Sequence, residues 1–307
     1  MPDAASLGVT ILGSGGALYA HGRHPSGQVL HIRQHRFLID CSEGVQFRMA
    51  DLGISPFPIQ QIFITHLHGD HYFGLVALLS SMILQGRKKP LSIFSPAGLE
   101  PIIRMQLEIA GKETGFPLQF VELLTEHDPY CVFENDDLAV WTLPLRHRIP
   151  VSGYLFREKA GQRKMIKEKI EEFGLSIEQI KAVKRGEAIF LGGKKIPAER
   201  LSTDPEPPRS FAYCSDTAYF PELAGMIQNV DLLYHESTFV QADKARARRS
   251  MHATAKEAAM VARDAHAGKL LLGHFSGKYN GLGPLLEEAR AVFPNTFLVE
   301  EGKTYFP

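Results

Sequence analysis

Residues 62–75, IFITHLHGDHYFGL, constrain this chain more than any other stretch, because His66, His68, Asp70 and His71 fall within six residues between a strand pattern and a helix pattern. Phe63 and Ile64 are apolar, β-favouring residues that suit the end of a buried strand, and residues 72–85 predict a long apolar helix. The polar residues then stand at the carboxyl end of a strand, where α/β sheets gather their ligands. His66 and His68, two apart, can point the same way, whereas Asp70 and His71 fall at the helix start and can turn toward a second ion. Gly69 is expected to supply a sharp backbone bend between the pairs. A single histidine on an apolar stretch is ordinarily structural. Three of them with a carboxylate, so closely spaced, outline a two-metal site.

The chain has 307 residues, 44% of them hydrophobic, enough for one large domain or two intimate halves. Thirty-four lysines and arginines balance 34 acidic residues, so there is no global basic field for indiscriminate binding of long nucleic acid, and no DNA partner is expected. An anionic substrate has to be caught locally. Cys41, Cys131 and Cys214 are odd in number and far apart, which argues against a disulfide framework or a thiolate zinc knuckle and suits a reducing compartment. The start, MPDAASLGVTIL, lacks a basic segment followed by a long apolar run, and no stretch of about 18 apolar residues occurs. A cytoplasmic protein without a membrane partner is the expectation.

Strand-like runs at LGVTILG, GQVLHIR, RFLIDC, IQQIFIT, PLSIFS and LQFVELL alternate with helical patterns at 43–52, 72–85 and 99–110. The second half repeats the theme with strands near LAVWTLPL, SFAYCS, DLLYHE, KLLLG and TFLVE, and helices near 254–266 and 282–293. Such alternation predicts layered α/β architecture. Residues 156–209 stand apart as a polar excursion, with a helical 164–173, a hairpin-like GEAIFLGG and a TDPEPPR linker. We read a single domain over 1–307 with 156–209 inserted as an arm.

Further ligand candidates occupy matching settings. His147 follows LAVWTLPL, Asp216 follows SFAYCS and His274 follows KLLLG, each at the end of an expected buried strand. Alone, each is as ordinary a loop residue as a ligand. Together with the first motif they make five histidines and two aspartates, an N/O set suited to zinc or manganese and not to copper or iron–sulfur chemistry. Thr254 and Glu257 form a capping-box pattern that starts a helix and leaves His252 on the loop before it. The glycines Gly13, Gly15 and Gly16 do not complete a dinucleotide-binding pattern and are assigned to a tight turn. Zincin chemistry is excluded at His235, because position 239 is Phe.

HLHGDH, read with LIDCSEGVQFRM, HRIPVSGY, YCSDT, LLYHEST, MHATAKEAA and LLGHFSGKY, resembles the metallo-β-lactamase fold, a four-layer αβ/βα sandwich, and within it the ribonuclease Z family of tRNA 3′-processing endonucleases. The first motif alone marks the superfamily; LLYHEST followed by HAT and a helix selects the RNA-processing branch. The resemblance covers nearly the whole chain. It implies two zinc ions per subunit, or manganese or another divalent ion, with His66, His68 and His147 on one, Asp70, His71 and His274 on the other, and Asp216 bridging. It implies that Asp40 supports the ligands, that Asp70 orients or deprotonates the attacking water, and that His252, paired with Glu236, protonates the departing 3′-oxygen. Precursor tRNA as substrate and a homodimer are implied as well.

For RNA contacts the basic runs offer two readings, a solvated helix face or a phosphate anchor. The candidates are Arg163, Lys164 and Lys167 in the arm, Lys184 in its K-x-G-E element, Arg246, Arg248 and Arg249 in KARARR, and Arg23 in YAHGRH. YAHGRH departs from the P-x-K-x-R-N that relatives often carry, the arm lacks their Gly-Pro portion, and Ser215 replaces a glycine. A hydrolase of a small phosphodiester, lactone or sulfate ester is the alternative activity. A non-enzymatic RNA-binding module is a third reading, disfavoured by the full ligand set.

Overall fold

The computed structural model describes residues 7–111 and 113–307, so the first six residues of the opening segment lie outside the described residues. Two seven-stranded sheets dominate. The first runs in the order Thr304–Tyr305, Gly8–Gly13, Gly27–Ile32, His35–Cys41, Ile59–Phe63, Leu91–Pro96, Leu118–Leu123, antiparallel at its start and parallel from His35–Cys41 onward. The second runs Thr296–Leu298, Lys269–Gly273, Leu232–Glu236, Ser210–Cys214, Ser152–Glu158, Leu138–Pro144, Cys131–Glu134, its first four strands parallel.

Alternation along the strands sorts the core into two layers, since successive side chains leave opposite faces. Leu38, Ile62, Ile64 and Ile93 pack with Leu75, Leu78, Leu79, Met82, Ile103 and Leu107 of the covering helices. Phe37 and Phe63 turn the other way, toward Tyr154 and Phe156 of the second sheet: Phe63 lies 5.0 Å from Tyr154 and 5.3 Å from Phe156, and Phe37 lies 5.6 Å from Phe156. Burial on both faces explains why these strands read as near-continuous apolar runs. The Tyr154 hydroxyl donates to the Ile64 carbonyl at 2.5 Å, and the Ser152 N–H to Thr65 at 2.9 Å, tying the second sheet to the chain just before His66.

The long helix expected over 72–85 is two helices, Gly69–Tyr72 and Leu75–Leu84. The break falls where the chain is pressed against Cys41 and Ser42: the Gly74 N–H donates to the Cys41 carbonyl at 2.9 Å, and a Cβ on Gly74 would stand 1.9 Å from the Ser42 oxygen. Gly69 is not in the left-handed region, so the expected glycine-specific bend is absent there; a Cβ at Gly69 would instead meet the Phe73 ring.

Residues 134–139 and 157–209 form a compact unit of their own. The helix expected over 164–173 begins at Lys167, because Lys164–Met165 pairs as a strand with Ser202–Thr203. GEAIFLGG forms a hairpin, Ile189–Leu191 against Lys194–Ile196. A helix Ile177–Lys184, started by a Ser176–Gln179 capping box, was not evident from composition; with Leu175, Val183, Ile189 and Leu201 it gives this unit a small core.

Candidate metal centre

The strand ends of both sheets deliver the ligand candidates to one cleft. His66 Nε2 lies 2.9 Å from His68 Nδ1, which lies 3.3 Å from His147 Nε2. Asp216 Oδ2 faces this group at 3.6 Å from His66 and 3.9 Å from His147. Its Oδ1 faces the other group, 3.4 Å from His71 Nε2 and 3.0 Å from His274 Nε2, with Asp70 Oδ2 3.5 and 3.8 Å from those nitrogens. Within each set, His66, His68, His147 and Asp216, then Asp70, His71 and His274, the ligand atoms all lie within 4.8 Å of one another.

The residues fit a pair of divalent cations, and the hydrogen bonds on the far side of four of the five rings are the reason. His66 Nδ1 meets Thr65 Oγ1 at 3.0 Å, His71 Nδ1 meets Asp40 Oδ2 at 2.8 Å, His147 Nδ1 meets the Met251 carbonyl at 3.0 Å and His274 Nδ1 meets Thr238 Oγ1 at 3.0 Å. Each contact suits a proton on Nδ1, which turns the Nε2 lone pair toward the cleft, as metal-binding histidines require. The Nε2 atoms of His71 and His274 are buried without a hydrogen-bond partner, an arrangement a cation relieves. Burial, reinforced by the neighbouring His71, holds His66 well below the ordinary histidine range, and burial also lowers His68 and His147, keeping them neutral. Burial opposes charge on His71 too, but Asp40 and Asp216 overcome it and push His71 well up; their combined field suits a cation equally.

Asp40, fully buried, organises the first sheet's contribution. Oδ1 accepts from the Thr65 N–H at 2.9 Å and hydroxyl at 3.0 Å, and Oδ2 accepts from Tyr213 at 3.0 Å as well as from His71. It sits in the left-handed region (φ 56°) at a β-bulge, where Gly27 pairs with Cys41 and Gln28 with Ile39, leaving Asp40 without a partner. Bulges re-aim side chains in this way. Asp216 (φ 57°), His274 (φ 55°) and Met251 (φ 59°) share the conformation. It costs about 1–2 kcal/mol for a residue with a Cβ, and its recurrence around one cleft marks a site whose surroundings over-determine the backbone.

Glu236, also fully buried, does for the second sheet what Asp40 does for the first. Oε1 accepts from the Thr217 N–H at 2.6 Å and from His252 Nδ1 at 2.8 Å, and Oε2 accepts from the Thr238 hydroxyl at 2.5 Å. Burial opposes a charge on His252, but the Glu236 carboxylate outweighs it and raises the imidazole to about 9. Burial disfavours the Glu236 charge likewise, and the His252 cation holds it below its ordinary value. The capping box of Thr254 and Glu257 is present and starts the helix Ala255–Asp264, placing His252 on the approach to it. Thr65 and Thr238 were not singled out from sequence, although each adjoins a recognised motif.

A cavity of about 440 Å³ opens over the centre, lined by Asp70, His68, Asp216, His252 and His274 together with Gly16, Leu18, Arg148 and Arg246. Of the basic residues expected to meet RNA, Arg246 reaches this cavity, and Arg248 and Arg249 are exposed on the same helix, Lys244–Ser250. Arg148, beside His147 in HRIPVSGY, lines it too and was not singled out as an RNA contact. Arg23 departs from expectation: its guanidinium donates to the carbonyls of Ser276, Tyr279 and Asn280 at 3.5, 2.5 and 3.5 Å, so it joins two loops instead of facing outward. Arg163 is likewise engaged with Asp204 and Ser202, and Lys164 with Glu206, all within the smaller unit, which also carries Lys167 and Lys184.

Two layered sheets meeting at a histidine–aspartate centre define a metallo-β-lactamase-fold protein. Residues 200–275 match the β-lactamase superfamily domain, residues 7–120 match the anti-Pycsar protein Apyc1 family, and a metallo-β-lactamase fold protein from Bacillus subtilis superposes with a TM-score of 0.68 at 17% identity, covering 99% of this chain and 100% of that one. The chain belongs, more narrowly, to the ribonuclease Z family: it is 39% identical to Ribonuclease Z of Parabacteroides distasonis over 97% of this chain and 98% of that protein. Identity to Ribonuclease Z of Cytophaga hutchinsonii is 42%, over 96% and 95% of the two chains. The short form of human tRNase Z superposes with a TM-score of 0.70 at 25% identity, covering 98% of this chain and 99% of that one.

Proposed function

We propose that this chain is a zinc-dependent endoribonuclease that removes the 3′ trailer of precursor tRNA and leaves a 3′-hydroxyl on the tRNA. As a ribonuclease Z family member it is a metal-dependent phosphodiester hydrolase. The observation that carries the finer reading is the sharing of Asp216 between two nitrogen–oxygen ligand sets beside the His252–Glu236 pair. His66, His68 and His147 would hold one zinc ion, Asp70, His71 and His274 the second, and Asp216 both. When bound, such a pair of cations supplies positive charge to the transition state of an in-line displacement at phosphorus.

The chain's own groups do the rest. Asp70, at the cavity surface, orients the attacking water or takes up its proton. His252, protonated and lining the same cavity, presents Nε2 to the departing 3′-oxygen, while Glu236 holds Nδ1 and the charge. Asp40 and Thr65 keep His66 and His71 in register. Arg246 and Arg148 offer guanidinium groups to RNA phosphates. We assign 1–307 to one metallo-β-lactamase domain with 156–209 as a tRNA-binding arm, carry over a cytoplasmic homodimer, and note that no helix among the described residues is long and apolar enough to cross a membrane.

The test is cleavage of a 3′-extended precursor tRNA by protein of known metal content, alongside Asp70→Ala, with the product 3′ end mapped to the nucleotide. Metal-dependent cutting at or next to the discriminator, abolished in the variant, is expected. Failure to cut by a protein holding two metals per chain, with retained hydrolysis of a small phosphodiester, would overturn the tRNA assignment.

A further inference from the structure

The cavity over the ligand sets adjoins a second hollow of about 360 Å³, and Arg148 lines both. That volume lies within the range of small-ligand clefts, roughly 300–1,000 Å³. The main wall of the hollow is the loop 145–151, between the strands Leu138–Pro144 and Ser152–Glu158. The loop is fastened along its length. The Arg146 N–H donates to Thr217 Oγ1 at 3.0 Å, the Ala218 N–H donates to the Arg146 carbonyl at 2.8 Å, and the Ser152 N–H just beyond donates to Thr65 at 2.9 Å. His147 is held by the Met251 carbonyl, and both residues line the hollow. Thr217 gives its own N–H to Glu236, so one residue anchors this wall and the carboxylate behind His252. A wall fixed in this way is preorganised, and binding there costs little ordering.

Leu145 and Val151, both buried, and half-buried Ile149 give the hollow an apolar floor, while Arg146 and Arg148 are exposed at its rim. Against these two cations the lining has one carboxylate, Glu126, which is exposed. The Arg146 guanidinium lies 4.4 Å from the Phe220 ring centre and 3.4 Å from Glu222, an exposed pair that water weakens. Arg148 has no carboxylate partner among the described residues. An apolar floor with guanidinium groups at its rim matches an unpaired nucleotide, whose base buries an apolar face and whose phosphate takes charge-assisted hydrogen bonds. Cleavage that leaves a 3′-hydroxyl on the tRNA leaves the phosphate on the first trailer nucleotide. The 3′-oxygen then departs past His252, while the trailer stays at the ligand sets. The second hollow is lined by a ligand candidate, His147, and not by His252, which favours the trailer as its occupant.

We propose that this hollow binds the first nucleotide of the 3′ trailer, with Leu145, Ile149 and Val151 against the base and with Arg146 and Arg148 on the phosphate that links it to the next nucleotide. The inference rests on the endoribonuclease reading above. It is tested in the full-length metal-loaded protein with precursor tRNAs whose trailers are one, two and six nucleotides long. From one to two nucleotides, where the contacted phosphate first appears, kcat/KM is expected to rise about tenfold, and then to level off. The step is expected to vanish in the double variant Arg146→Ala, Arg148→Ala and in Ile149→Glu, which sets a negative charge beside that phosphate, with metal content retained. A 5′-phosphorylated dinucleotide is expected to compete with precursor tRNA about tenfold more tightly than a 5′-mononucleotide in the unsubstituted protein, and equally in the variants. Rates equal within about twofold for all three trailers, or a step that survives both variants, would overturn the trailer site and leave the endoribonuclease reading standing. Loss of metal from both variants would assign the loop to support of His147 instead. Hydrolysis of bis-p-nitrophenyl phosphate with no cutting of any precursor would overturn the endoribonuclease reading first, and this site with it.

Discussion

Replacing Glu236 with glutamine removes a charge and keeps the shape, which makes its effect on His252 calculable. Gln keeps an acceptor for the Thr217 N–H and for His252 Nδ1, and its amide can donate to the Thr238 hydroxyl. It loses the carboxylate that raises His252 to about 9 against the opposing effect of burial. With that charge gone the imidazole falls to its ordinary value of roughly 6.5 or below, a change of about 3 kcal/mol in favour of the neutral ring. The acid form is the proton donor, so activity is lost as pH rises through the imidazole's pKa: near 9 with Glu236, near or below about 6.5 with Gln. One pH unit below the parent's value the protonated fraction drops from about nine-tenths to about one-thirtieth, predicting a roughly 30-fold loss of kcat, whereas about three units below it the loss stays within about twofold. Cations bound nearby lower both values together and leave the difference. The assay is single-turnover cleavage of precursor tRNA from pH 5.5 to 9.5 at saturating metal. A variant profile parallel to the parent's, with equal loss about one and about three units below the parent's value, would refute the assignment of His252 as a donor tuned by Glu236.

Three further outcomes follow from the same geometry. His252→Ala should slow the chemical step by about 10²-fold or more with two metals still bound by elemental analysis, and an unchanged kcat would remove the proton-donor role. Asp40→Asn places an amide where the carboxylate accepts from Thr65, Tyr213 and His71, so metal affinity should fall about 10–100-fold in a competition titration, and unfolding should cost about 1–3 kcal/mol less. Chelation should abolish cleavage, with zinc or manganese restoring it, and should leave the far-ultraviolet circular dichroism of the two sheets intact; residual activity in fully stripped protein contradicts the metal centre.

Much of the candidate site was legible in the amino-acid order because the ligand candidates are tied to local events. HLHGDH packs four of them into six residues, and His147, Asp216 and His274 each follow an apolar run whose end can be read directly. The capping box that frees His252 is likewise local, four residues long. The sequence by itself therefore marked the ligand candidates and determined the layered α/β class and the family. Tertiary structure decided what depends on contacts between distant segments. Asp40 draws together Thr65, His71 and Tyr213, the last 173 positions away, and acquires its role only when the two sheets meet. Asp216 is placed between the two candidate sets because its two oxygens face opposite ways, an arrangement that composition does not encode. Arg23, basic and in a loop, reads as a phosphate contact until the carbonyls of 276–280 claim its donors. Glu301 carries no motif at all; its part-buried carboxylate finds the Ser14 and His24 donors because the chain's last turn returns to the first strand, where Thr304 pairs with Thr10. Periodicity and spacing report which groups sit on one local face, whereas the partners of a buried charge are chosen by whichever remote segment the fold brings within about 3 Å of it.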